Sequence, residues 1–251
     1  MALTKKFHLP SGFFSNPAAA PDRMLKQKIF DLLKSPDFDR ELDFLKGFPF
    51  HKTLNHLFSA LCGGDEEVKW HAVTATGRLV ADLAERDPEG ARNILRRMMW
   101  SLNEESGGIG WGLPEAMGEI LARNENLARE FAAILVSYIQ PEGNFLEFQP
   151  LQRGALWAIG RLAEAFPFLL TPLKTGAFLL PFLKSRDLAV RGNAIKALGL
   201  LGDEQSLPGL KELLSEREVV RLYQGGKFMS SHIGELAQGA IERIKKRVTG
   251  T

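Results

Sequence analysis

"VRGNAIKALGLLGDEQSLPGLKELL", residues 190–214, decides the fold. Its first half holds NAIKALGLLG (193–202), an apolar helical run with Gly199 in its interior and Ala197 two residues earlier. Its second half presents Leu207, Leu210, Leu213 and Leu214 at helical spacing. A glycine inside a helix costs about 0.8–1.0 kcal/mol relative to alanine, so Gly199 needs a reason. Close approach of a neighbouring helix at a point without a Cβ supplies one. Working outward, the same signature returns in HAVTATGRLV (71–80), GLPEAMGEIL (112–121), GALWAIGRLA (154–163) and GELAQGAIER (234–243). Gly77, Gly118, Gly160, Gly199 and Gly239 are separated by 41, 42, 39 and 40 residues. Ala75, Ala116, Ala158, Ala197 and Ala237 precede them by two. Self-similarity at a fixed period marks a repeat architecture.

Partner helices fall between these segments. HKTLNHLFSALC carries Leu54, Leu57, Phe58 and Leu61. DPEGARNILRRMMWSLN opens on Asp87 as N-cap with Pro88 at the first helical position. NENLAREFAAILVSYIQ repeats the spacing with Leu127, Phe131, Ile134, Leu135 and Tyr138. TPLKTGAFLLPFL is expected to form one helix from Thr171, kinked at Pro181. The unit is helix A, turn, helix B, near the period of HEAT and armadillo repeats. The run 190–214 resembles, more narrowly, the HEAT-like repeat of the phycobilisome-lyase type, whose signature reads VR…A…ALG…LGD…L…L. The resemblance is sharp there, looser over 51–165, and does not cover 1–50. The expectation is therefore an all-α, right-handed HEAT-type solenoid of about five helix pairs over 51–251. Residues 1–22 read as an irregular arm and 23–50 as capping helices.

Composition narrows the function. The chain is 45% hydrophobic and 25% charged, with a formal net charge of +2, so charge alone does not announce nucleic acid or an anionic membrane. The single cysteine, Cys62, excludes an intrachain disulfide framework and suits a reducing compartment. No apolar stretch approaches a membrane span, the N-terminal residues make a poor signal peptide, and the cytoplasm is the expected compartment. HExxH, CxxC, GxSxG and Walker motifs are absent, and His8, His51, His56, His71 and His232 lack metal-ligand spacing. No cofactor, metal or catalytic residue is assigned.

One stretch breaks the helical rhythm: NEESGGIGWG (103–112). A dinucleotide loop would follow a strand, and this follows a helix. It reads as an A-to-B turn, with Gly107 and Gly108 closing the preceding helix. Turns of this kind line one edge of a solenoid. That edge gathers Asp65, Glu66, Glu67, Glu104, Glu105, Glu142 and Glu147, with Asn144 beside them.

Candidate binding residues lie on the B helices, at positions −7, −3 and +1 from each repeat glycine, which share one helical face. The first three repeats give Trp70, Thr74 and Arg78, then Trp111, Glu115 and Glu119, then Arg153, Trp157 and Arg161; Lys196 follows in the fourth. The resemblance implies that B helices line the concave, ligand-binding surface. Trp and Arg dominate interface hot spots. Arg78, Glu119 and Arg161 share one register and alternate in sign, so an inter-repeat ladder is the competing reading. The leading function is a non-enzymatic scaffold that binds a protein or peptide on this face, with Glu104, Glu105, Asn144 and Glu147 along its rim. A HEAT-like DNA glycosylase or other nucleic-acid binder is an alternative. It is suggested by GIGWGLPE and opposed by the mixed charge of the stripe and by the lack of an aspartate in MMWSLNEESGG. Bilin-lyase-like chromophore handling is a second alternative. The insert at 217–230 places Gly225-Gly226 between two short strand-like runs, the composition of a two-residue hairpin turn. Such a hairpin is marginal alone and should dock or reach a partner. It is expected to be an appendage whose removal leaves the helices intact.

Overall fold

The computed structural model describes residues 22–103 and 110–249. Helices α1 (Asp22–Leu33) and α2 (Phe38–Glu41), followed by a 3-10 segment (Leu42–Gly47), precede the repeats. The pairs are α3 (Phe50–Leu61) with α4 (Glu66–Ala84), α5 (Pro88–Leu102) with α6 (Leu113–Arg123), and α7 (Glu125–Ser137) with α8 (Gln149–Ala165). The fourth outer element is broken into α9 (Pro167–Leu170), α10 (Thr175–Leu179) and a 3-10 turn (Leu180–Lys184), packed on α11 (Leu188–Leu201). After α12 (Leu207–Glu212) come strands β1 (Val219–Gln224) and β2 (Lys227–His232), then α13 (Ile233–Thr249), which packs on α12. No described helix is long and apolar enough to cross a membrane.

Local chemistry sets the boundaries. Asp65, Asp87, Asn124 and Asp187 each accept backbone N–H groups at the starts of α4, α5, α7 and α11, satisfying donors that a helix leaves open. Gly112, at φ 72°, turns the chain into α6, a conformation that glycine adopts without strain. Residues 104–109, including Glu104, Glu105, Gly107 and Gly108, lie outside the described residues. The single helix expected from Thr171 does not form. Lys174 takes a left-handed conformation (φ 52°), and a new helix starts at Thr175. Pro181 then sits in the 3-10 turn.

The inner helices α4, α6, α8, α11 and α13 contact one another in that order. Their facing residues are small and fully buried: Ala75, Ala116, Ala158, Ala197 and Ala237 are at 0% exposure. A Cβ on Gly118 would lie 2.5 Å from Ala158 Cα, one on Gly77 would lie 3.0 Å from Glu119 Cβ, and one on Gly199 would lie 3.2 Å from Ala240 Cα. These three glycines allow the close helix approach that their spacing suggested. The other two do not mark tight contacts. A Cβ on Gly160 would meet Ala197 Cβ at an ordinary 3.9 Å, and one on Gly239 meets nothing within 4 Å.

The inner layer curves. Rings on α4 and α8 touch although α6 lies between them: Trp70 and Trp157 have centroids 4.7 Å apart. Packed helices stand 8–10 Å apart, so a flat row would separate these rings widely. Their contact makes the inner-helix face concave.

Candidate functional site

The concave face is occupied by the chain's own hairpin. β1 and β2 pair from Val219↔His232 to Gln224↔Lys227, closed by Gly225 (φ 56°) and Gly226 (φ 82°). Positive φ at both turn residues matches the right-handed strand twist. With Gln224 and Lys227 as the closing pair, Tyr223↔Phe228 is a non-hydrogen-bonded pair, so the Tyr223 carbonyl points away from β2. Trp157 Nε1 donates to that carbonyl at 2.8 Å. The Tyr223 ring stacks on Trp70 with centroids 4.4 Å apart and planes at 10°, and Phe228 meets Tyr223 edge-on at 5.4 Å. Arg221 lies 3.7 Å over the Phe228 ring and donates to Glu66 at 2.9 Å. Burial, offset in part by a hydrogen bond with Thr74, raises the Tyr223 phenol above its ordinary range. Val220 and Leu222 pack over Gly192, where any side chain would intrude. Val220, Leu222 and Tyr223 are all buried, so the hairpin is not an appendage.

The hairpin divides the groove into two chambers. The smaller, about 150 Å³, is lined by Trp70, Trp111, Glu115, Arg153 and Trp157 among others, and so brings together five of the stripe residues. Glu115 is buried and accepts from Lys69 Nζ at 2.6 Å. Gly154 leaves room for that carboxylate. Arg153 pairs with Asp187 at 2.6 Å. Burial alone would raise the Asp187 carboxyl, but hydrogen bonds from Arg153, Val190 N and Ala189 N, with the Arg153 charge, hold it below the ordinary aspartate range. Trp111, 37% exposed, meets Phe148 edge-on at the rim.

The larger chamber, about 400 Å³, lies between the hairpin turn and helices α6, α8, α11 and α13. Glu119, Arg161 and Lys196 line it. Buried Glu119 accepts from Arg123 Nε at 2.6 Å and from Arg161 Nε at 2.8 Å. One half of the ladder therefore forms. Arg78 leaves the other half open, because its guanidinium turns to Asp43 in the 3-10 segment before α3 at 2.9 Å. Asn144 and Glu147 line neither chamber; Asn144 donates to Ser137 Oγ at 2.9 Å.

Sequence reasoning missed Lys69, Arg123, Arg221, Tyr223, Phe228 and Arg243. Lys69 stands one position off the chosen stripe, and Arg123 continues it one turn beyond Glu119. The hairpin aromatics carried a signal of their own: Tyr223 and Phe228 flank the glycine pair at mirrored positions, which makes them a cross-strand pair. Among the described residues no group of His, Cys, Asp and Glu could hold a metal ion.

A curved stack of helix pairs, with its inner layer built from the second helix of each pair, is an α-solenoid of the helical-repeat class. Residues 145–223 match the HEAT repeats family, spanning α8 to the end of β1. An uncharacterised protein of Archaeoglobus fulgidus is 27% identical over 187 residues, covering 72% of this chain and 91% of its own. An engineered protein solved by the Northeast Structural Genomics Consortium shares 17% identity, with a TM-score of 0.52 over 94% of this chain and 96% of its own. A designed armadillo repeat protein shares 20% identity, with a TM-score of 0.47 over 86% and 98%.

Proposed function

We propose that this chain is a non-enzymatic scaffold that binds a protein or peptide on its concave inner-helix face. One observation carries the reading: that face already holds an extended segment, its own β1, by an aromatic stack on Trp70 and an indole-to-backbone hydrogen bond from Trp157. Both contacts suit any extended chain, and they are the chemistry of peptide recognition by pockets and main-chain hydrogen bonds. With the centre filled, the surface left to a partner is the rim. There Trp111 and Phe148 expose adjoining rings, and Arg153 and Arg221 line the smaller chamber with Trp111. Exposed aromatics next to arginine are the residue types on which interfaces depend most. The lyase-type wording of residues 190–214 adds nothing to this reading, since Val190, Ala194, Ala197 and Leu198 are spent on repeat packing.

Capture from native lysate tests it. Trp111→Ala with Phe148→Ala should remove the captured partner and leave the melting temperature close to wild type. A double variant that folds and retains every partner would sink the proposal.

A further inference from the structure

The 400 Å³ chamber under the hairpin turn has charge left over. Four cations reach it: Arg123, Arg161, Lys196 and Arg243. Two of them, Arg123 and Arg161, share Glu119. Glu164 leans to Arg161 at 3.7 Å, and Asp39 stands at the turn end of the chamber. Lys196 and Arg243 make no ion pair within 4 Å among the described residues. Lys196 is half-buried in mid-α11, where an ammonium without a partner is costly. Burial first, then the like charge of Arg243, lowers its pKa, against the opposing pull of Glu164. The charged groups facing it are thus Glu164 and Arg161 from α8, Glu119 and Arg123 from α6, Arg243 from α13 and Asp39 from α2.

The rest of the wall combines aromatic and apolar groups with the polar side chains of Thr74, Asn193 and Gln224. Trp157 and Tyr223 form the side toward the hairpin, Leu156 and Leu200 line it further, and Gly160, where an added Cβ would meet Ala197 at only an ordinary 3.9 Å, opens its floor. The volume falls in the range of small-molecule sites, and the polar and charged groups converge beside one aromatic wall.

We propose that this chamber binds a small organic anion, a phosphate monoester or carboxylate carried on a flat apolar body. Lys196 and Arg243 take the charge, and Trp157 and Tyr223 take the body. The inference stands apart from the rim reading, because none of these residues is the exposed Trp111–Phe148 pair. It also explains Gly160: a larger residue there would take space from the ligand and not from a helix contact.

Calorimetric titration of the full chain with phenyl phosphate tests it, with inorganic phosphate and benzylamine as comparators. Phenyl phosphate is expected to bind saturably and to raise the melting temperature. Inorganic phosphate should bind more weakly and benzylamine not at all. Lys196→Met should weaken phenyl phosphate at least about tenfold, while melting at or above the wild-type temperature without ligand, since it removes a half-buried charge that has no ion pair. Lys196→Arg should keep most of the affinity. In wild type, affinity should fall as pH rises toward 10.5, the ordinary lysine value, as Lys196 loses its proton. Should Lys196→Met fail to fold, Arg243→Gln, at an exposed position of α13, carries the same expectation of weakened binding. No saturable heat at millimolar phenyl phosphate would overturn the proposal. So would equal affinity for inorganic phosphate, or binding unchanged in the Lys196 and Arg243 variants.

Discussion

Gly118 and Gly160 occupy the same place in successive repeats and do different things. A side chain on Gly118 would run into the Ala158 backbone, so Gly118→Leu should cost about 3 kcal/mol or more in urea denaturation, through overpacking. Gly160→Ala has room. It should be neutral or stabilising by up to about 1 kcal/mol, because it improves helix propensity. Equal effects at the two positions would contradict this division. Asp187 gives a residue-scale pH dependence. Its folded-state carboxyl is held below the ordinary aspartate value, so it contributes stability that is present above about pH 3.9 and lost as pH falls through the folded-state pKa. Arg153→Gln removes the principal hydrogen bond that lowers it. The variant's stability should fall less steeply than wild type over that acid range, while the cap bonds to Ala189 and Val190 remain. Parallel acid titrations followed by circular dichroism would check it, and superimposable curves would refute it.

At the scale of elements, helices and caps were legible because their causes are local. Asp87 before Pro88 and the phase-locked glycines act within one turn or one repeat. The hairpin was legible too, from Gly225-Gly226. Its resting place was not. The Arg221–Glu66 contact spans 155 residues, and no periodicity encodes which face a strand will meet that far away. Likewise the outer helix expected from Thr171 broke at Lys174, where Thr171 and Lys174 instead close a turn by backbone bonds to Pro167 and Thr171. Of the stripe's electrostatic partners, Lys69 and Asp43 sat off the register used to find it, and Arg123 lay one turn beyond its last position. Replacing residues 219–232 with a short Gly/Ser linker should therefore destabilise the protein by several kcal/mol. Val220, Leu222 and Tyr223 each bury about 1.5–3 kcal/mol of side chain. Trp70 and Trp157 would meet water, and their fluorescence should shift to the red. An unchanged urea midpoint would show that the hairpin contributes nothing.

For the whole molecule, the hairpin changes how the stack behaves. In an open solenoid each repeat touches only its neighbours, and unfolding can spread from either end. Here a segment between α12 and α13 is fastened to α4, so the last repeat supports the first. Unfolding should be one transition by calorimetry and fluorescence. Tyr223→Ala should split it, with amide exchange in α4 rising before that in α8 and α11. A single transition in that variant would mean the fastening is unimportant, and the exposed Arg221–Glu66 pair alone would not supply it.

The order in which a ribosome delivers this chain follows from the same contact. Trp70 leaves the exit tunnel long before Tyr223 does. With 155 residues between Glu66 and Arg221, and synthesis at roughly 5–20 residues per second, that face of α4 waits on the order of 8–30 s for its cover. During that interval Trp70, joined later by Trp157, lacks the cover that the finished hairpin provides. Stalled chains ending before residue 219 should recruit hydrophobic-binding chaperones through Trp70 and Trp157, and chains that extend past α13 should release them.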